Sequence, residues 1–493
     1  MQGTSRTLQP MTQKKTDLLN DAARCPASRS RRNWLRKALF SGTALALPNS
    51  AIALLAKALP QDPPPFRRYG PPQLPPLPAT PPEPATTSAA TRYRFTPKED
   101  TFLEEIESAT FQFFWESADP NTGLVKDRSL ARQQDARNVA SIAATGFGLT
   151  ALCIAAERGW QPRNAILERV LTTLRFVAQK LPTEHGFFYH FLKMDNGERA
   201  FNCEVSNIDT SIFLCGALTC RAYFANPEIS QLVTAIYDRI DWPWFLKGAG
   251  PNELTLSKGW TPEHGYIKSR WDSYAELMMI YLLGIGANRN PLPAESWDAW
   301  SRPHFEFNGI RYIGAQAPLF AHQYSHAWFD FRGRHDKYAD FFANSAIATE
   351  VHKLWCLEMS NSFPDYTEDL WGITASDSQK GYTGWGGPPL IGHPDGTVVP
   401  CAPAGSLPFL PQETLRVLET IRDKYSQIAW TTYGFVDAFN PLTNWASPDV
   451  IGIDAGITIL MAENARTGFV WQHFMTNPEI RRAMDKTNFQ KNT

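Results

Sequence analysis

Beyond residue 94, apolar residues recur every three to four positions, and this spacing predicts one helix after another. Phe102, Ile106 and Phe113 mark a helix over Glu99–Glu116, and a run of small apolar residues predicts another over Val139–Arg158, closed by Gly159. Pro162 opens a third, with Ile166, Val170, Leu174 and Val177 on one face. Ser206 can cap a fourth that reaches Phe224, and Pro227 starts a fifth through Ile240. The same signals place helices over Trp271–Ile285, His335–Glu358, Pro411–Tyr425 and Asp454–Arg466. Two-residue alternation is scarce; Gly186–Phe191 and Phe305–Ile313 read as short hairpins. Long loops rich in Gly, Pro and Trp, notably Phe363–Phe409, separate the helices. The expected class is all-α: an (α/α)6 toroid or barrel with long loops and minor β-hairpins. An α-solenoid is the alternative, and no fixed repeat of about 30–45 residues supports it.

The 493 residues carry 48 Lys and Arg against 49 Asp and Glu. That balance speaks against nucleic acid as a partner, because phosphate binding needs a basic excess. It conceals an asymmetry: residues 1–58 hold ten basic and two acidic side chains, a net of +8, so the remainder carries −9. Ser30-Arg31-Arg32-Asn33-Trp34-Leu35-Arg36 precedes a weakly apolar run from Ala38 to Leu55, and Ala56-Lys57-Ala58 supplies small residues for cleavage. This pattern resembles a twin-arginine export signal, which implies the twin-arginine translocase as a transient partner and a periplasmic destination. Pro48, Asn49 and Ser50 make the run a poor permanent membrane helix. Residues 59–93 are a Pro-rich linker, with 12 prolines between Pro60 and Pro84, expected to be extended and able to hold the protein near a membrane or wall. Residues 94–487 are expected to form one large folded domain and to be monomeric. The cysteines are too scattered for a zinc knuckle or a disulfide scaffold and are expected to be mostly buried thiols; a Cys203 bridge to Cys215 or Cys220 is the alternative. Sixteen tryptophans suit a carbohydrate site, since sugar C–H faces stack on indoles, and suit a large core equally.

No phosphate loop, dinucleotide fingerprint or nucleophile-elbow serine occurs in a convincing context, and no cofactor is expected. His322 and His326 stand four apart, yet no second pair supports a metal, and none is expected. The carboxylates carry more. Glu204 and Asp209 stand at the mouth of the Ser206 helix, where capping alone would explain one of them. Asp272 and Glu276 are four apart on the next predicted helix. Glu276 lies among Tyr274, Leu277 and Met278, where desolvation would raise its pKa as a general acid requires; a salt bridge to Arg270 is the structural alternative. Two acids across an aromatic cleft is the arrangement a glycosidase needs.

Several ordered segments resemble the glycoamylase-like domain family. They are His185-Gly186-Phe187-Phe188-Tyr189-His190-Phe191, Glu204 to Thr210, Gln323 to Gly333, Leu370 to Asp377, Asp395-Gly396-Thr397, Ala404 to Phe409, Tyr433 to Asn440, and Gly452 to Gly456. The resemblance implies an (α/α)6 barrel of the bacterial endo-β-1,2-glucanase type, hydrolysing β-1,2-glucan by inversion. It implies Glu276 as general acid and Glu204 and Asp209 as the acids opposite, one of them activating water. It implies substrate contacts at Asp127, Arg128, His185, His190, Trp271, Asp272, Tyr274, Glu368, Trp371 and Asp437. Relatives carry Ser-Pro-Thr-His-Pro where this chain reads Ala287-Asn288-Arg289-Asn290-Pro291, so a subsite beside the acid segment is expected to differ in shape. The competing readings are an α-glucan hydrolase or transglycosylase on the same scaffold, a non-catalytic periplasmic glycan-binding protein, and a polysaccharide lyase.

Overall fold

The computed structural model describes residues 93–248, 253–315 and 318–492; the segment expected to be an export signal and nearly all of the expected linker lie outside them. Helix α1 (Pro97–Glu116) starts where Thr96 and Glu99 form a reciprocal capping box ahead of Pro97. Helices α2 (Ile142–Arg158), α3 (Arg163–Gln179), α4 (Asn207–Phe224) and α5 (Pro227–Asp238) follow. Then come α6 (Met278–Gly286), α7 (Phe341–Glu358), α8 (Pro411–Lys424), α9 (Gly452–Arg466), α10 (Phe469–Phe474) and α11 (Pro478–Lys486).

Two kinds of helix alternate along the chain. In α2, α4, α6 and α9 nearly every residue is buried, whereas α3, α5 and α8 bury a single stripe. The wholly buried helices pack on one another, and the amphipathic α3 and α5 lie over α2 and α4. Helices α2 and α4 approach so closely that a Cβ on Gly216 would collide with the Gly146 carbonyl oxygen. Glycine is required there to let the backbones touch.

Short bridges tie together the ends at which the buried helices begin. Arg128 pairs with Ile451 ahead of α9, Lys126 and Leu192 both pair with Ala140 ahead of α2, and Val205, ahead of α4, pairs with Tyr189 and Trp260. At the opposite ends, buried ion pairs staple the helices: Arg158 to Glu463, Arg221 to Glu479, and Arg466 to Glu107.

The structure corrects several expectations. Val139–Ser141 is a strand, so α2 begins at Ile142, where Ser141 caps it. The Trp271–Ile285 helix shrinks to α6, because the backbone before it is committed elsewhere: the Trp271 amide donates to the Leu256 carbonyl and the Tyr274 amide to Ser301. Helix α7 begins six residues after His335, where Asp340 caps it, and His335 pairs in a strand with Gln490. The Gly186–Phe191 hairpin is absent; Phe191–Lys193 pairs with Val139–Ser141. The hairpin His304–Phe307 with Ile310–Ile313 is present. Cys203 makes no bridge to Cys215 or Cys220; all six described cysteines are buried free thiols, and it is Cys153 and Cys220 whose sulfurs lie 3.5 Å apart.

Candidate active site

The residue before α4 decides where its acids point. The Ser206 side chain accepts the Asp209 amide hydrogen at 3.1 Å and donates to Asp209 Oδ2, so the cap fixes the acid in the first turn. Glu204 lies just outside the helix on the bridged strip: its carbonyl accepts the His190 amide at 3.0 Å, and its Oε1 lies 3.2 Å from His190 Nδ1. His190 Nδ1 is also 3.8 Å from Asp209 Oδ2. A Cβ on Gly259 would sit 2.9 Å from Glu204 Cγ, so glycine lets the backbone ahead of the Trp260–Thr261 strand press against that side chain. Glu204, Asp209 and His190 thus form one compact group, with a ligand atom from each within 4.8 Å of the others. Such a group can share a proton; it also offers the donor types a divalent cation takes.

Glu276 comes from a different segment. Asn207, the first residue of α4, donates to the Ser257 carbonyl at 2.8 Å and accepts the Trp271 indole N–H at 2.9 Å. The start of α4 therefore holds the irregular stretch that leads to Glu276. Two residues before α6, Glu276 is 9 % exposed, and the Ser325 hydroxyl donates to its carbonyl at 3.0 Å. Arg270 turns its guanidinium to the carbonyls of Phe245, Leu246 and Thr255. Asp272 and Glu276 share no helix face, because the helix begins only at Met278; Asp272 is exposed and Glu276 buried.

A second group gathers at the start of α9. Arg128 lies 3.1 Å from Asp127, 3.0 Å from Asp377 and 3.6 Å from Asp449. Arg137 bridges Asp135 and Asp449, both at 2.5 Å. Asp437 lies beneath, its Oδ2 accepting the Asp377 amide at 2.7 Å. Burial, then the charges of Asp377 and Asp454, push the Asp437 carboxyl well above the usual range, and a hydrogen bond between Asp437 and Asp454 adds to this. The Arg128 guanidinium is raised by Asp127, Asp377, Asp437 and Asp449 against its own desolvation and stays charged. A concavity of about 400 Å³, lined by Leu130–Gln134 and Thr431–Tyr433, opens beside this group.

Sequence reasoning placed Asp127, Arg128 and Asp437 here but missed Arg137, Asp377, Asp449 and Asp454. The one available signal was the acidic first turn of α9, since the other three meet only through contacts spanning hundreds of residues. Other expected contacts fall elsewhere. Trp371 is completely buried, Tyr274 is buried with its hydroxyl 3.1 Å from His322 Nδ1, and Lys258 covers the Trp271 ring at 4.5 Å. These three rings belong to the core and offer no open face to a sugar. His185 stacks on Trp244 and pairs with Asp241, and Glu368 makes a surface pair with Lys353. His322 and His326 bind separate partners, Tyr274 and Ser345.

Residues 268–478 match a family model, Glycoamylase, described as "Putative glucoamylase". Over that stretch the chain is glycoamylase-like. The match includes Glu276, Asp377, Asp437, Asp449 and Asp454, and it begins after Glu204 and Asp209. Among curated proteins, the chain is 27 % identical over 437 residues to the exo β-1,2-glucooligosaccharide sophorohydrolase (non-reducing end) of Parabacteroides distasonis. That alignment covers 81 % of this chain and spans 59 % of the relative's length. Two solved structures share the fold. One is the endo-β-1,2-glucanase of Chitinophaga pinensis in complex with sophorotriose and glucose (TM-score 0.73, 27 % identity, 80 % of this chain and 99 % of that one). The other is the β-1,2-glucanase of Parabacteroides distasonis (TM-score 0.73, 26 % identity, 81 % of this chain and 61 % of that one). The glycoamylase-like stretch thus sits in a helix-rich chain whose fold neighbours include both proteins.

Proposed function

We propose that the protein is an (α/α)6-toroid glycoside hydrolase that cleaves β-1,2-glucan by inversion. The observation that supports this reading is the compact group of Glu204, Asp209 and His190 at the start of α4, which the Asn207–Trp271 hydrogen bond ties to the segment leading to the buried Glu276. Glu276 protonates the glycosidic oxygen as the bond breaks, and Glu204 or Asp209, held beside His190, takes a proton from the attacking water. Arg128, Asp127 and the Asp377–Asp437 pair bind hydroxyls of the sugar chain from the other group. No metal or cofactor enters this scheme. The names of the relatives support the linkage, and the twin-arginine pattern supports export to the periplasm, where the chain works as a monomer.

A second reading, an α-glucan hydrolase or transglycosylase, is favoured by the glucoamylase description of the matching family. Digestion of linear β-1,2-glucan, β-1,3-glucan and maltooligosaccharides side by side separates the two. Reducing ends released from β-1,2-glucan alone are expected. Release from maltooligosaccharides alone overturns the linkage, and binding of glycan with no release overturns the enzyme.

A further inference from the structure

Among the described residues three large apolar side chains are exposed: Phe201, Tyr338 and Leu442. Tyr338 is covered by the Arg302 guanidinium at 3.8 Å and donates to Asp298. Phe201 is 51 % exposed and touches another ring, Phe191, only edge-on, at 5.8 Å.

Its backbone is not relaxed. Phe201 and Asn202 both take left-handed conformations, φ 54° and 47°, a region that disfavours residues with a Cβ. The conformation is held from outside. Arg199 donates to the carbonyls of Asn202 at 2.7 Å and Cys203 at 2.6 Å, grips Glu263 with both terminal nitrogens, and lies over the Tyr189 ring. The Ala200 amide donates to the Phe191 carbonyl at 3.0 Å. A loop in this conformation, braced at this many points, holds the phenyl ring in water.

The ring's position gives that cost a use. Phe201 is three residues from Glu204. Phe191 stacks on His190 at 3.8 Å, and His190 Nδ1 lies 3.2 Å from Glu204 Oε1. An aromatic track therefore runs from solvent through Phe201 and Phe191 to the proposed reaction centre. The C–H face of a glucosyl ring is the ligand this surface suits: flat, apolar on one side, and hydrated at its edges.

We infer that Phe201 forms an outlying subsite that stacks on a glucosyl residue not itself cleaved, guiding a long chain toward Glu204. The inference rests on the glycan-hydrolase reading above. A group that binds only a distant part of the substrate, equally in the ground and transition states, changes KM and leaves kcat alone.

The test is a length series of linear β-1,2-glucans, from the trisaccharide to the polymer, with wild type, Phe201→Ala and Phe201→Trp of matched circular dichroism. For the alanine variant KM is expected to rise about five- to ten-fold on the polymer with kcat unchanged, the scale of one aromatic contact. The trisaccharide should show no change, and Phe201→Trp should recover the wild-type KM. Equal kinetics for wild type and alanine at every length overturns the subsite while leaving the hydrolase reading intact. So does a loss as large on the trisaccharide as on the polymer. A wild-type protein that cleaves no β-1,2-glucan overturns the reading beneath it.

Discussion

Beneath the Arg128–Asp377 pair, the Asp437 carboxyl has one oxygen on the Asp377 amide and meets the Asp454 carboxyl in the same buried space. Two acids so placed, buried and with Asp377 close by, favour the protonated form of the Asp437 carboxyl. Asp437 titrates higher in the folded chain than in the unfolded one, so unfolding above the ordinary carboxylate range releases a proton. Stability is then complete below the ordinary carboxylate range and declines as pH rises above it. An Asn at this position keeps the acceptor and supplies its own donor. Asp437→Asn should therefore flatten the decline between pH 5 and pH 8, by up to about 1.4 kcal/mol per pH unit. Urea midpoints at the two values decide this; an unchanged slope contradicts the raised Asp437 carboxyl. At this scale the sequence was legible where the signal is local. Glu204 and Asp209 flank a helix cap and are found together, whereas Arg137, Asp377 and Asp449 are brought together by strand pairing and ion pairs that no window of sequence contains.

The buried helices α2, α4 and α9 begin where a capping serine or a strand fragment fixes them, and at α4 this sets the direction of Asp209. The starts of α2 and α4 depend further on the contact between Gly146 and Gly216. Gly216→Ala places a methyl against a backbone carbonyl that has no room to move. It should destabilise the fold by about 1–3 kcal/mol, seen as a lower thermal midpoint, despite the better helix propensity of alanine. A midpoint equal to or above wild type contradicts the close approach. Apolar periodicity located α1 to α5 to within a few residues, because those helices start at caps or prolines. It extended α6 back to Trp271 because residues 271–277 are as apolar as a helix, while their backbone hydrogen bonds go to Leu256 and Ser301. Hydrophobic spacing cannot distinguish a buried helix from a buried irregular segment.

Over the whole molecule, burial exceeds pairing for three histidines. His322, His326 and His352 are each pushed down to about 3 by desolvation, and so are neutral in the fold. Unfolded, they take up protons below their ordinary value of 6.5. Their contribution is complete above that pH and is lost on acidification toward 3, with a limiting slope of about 4 kcal/mol per pH unit for three protons. Thermal midpoints should fall steeply between pH 7 and pH 5; a flat profile contradicts their neutral burial. The alternation of buried and amphipathic helices was readable from periodicity, whereas the strip of bridges that aligns the helix starts comes from tertiary pairing. The central claim, that Glu276 together with Glu204 or Asp209 breaks a glycosidic bond, is tested most directly by one substitution. Glu276→Gln, assayed for reducing-end release from linear β-1,2-glucan with its fold checked by circular dichroism, should lose about 100- to 10,000-fold in kcat, the share of a general acid. A folded variant that retains near-wild-type kcat on that substrate would contradict the account.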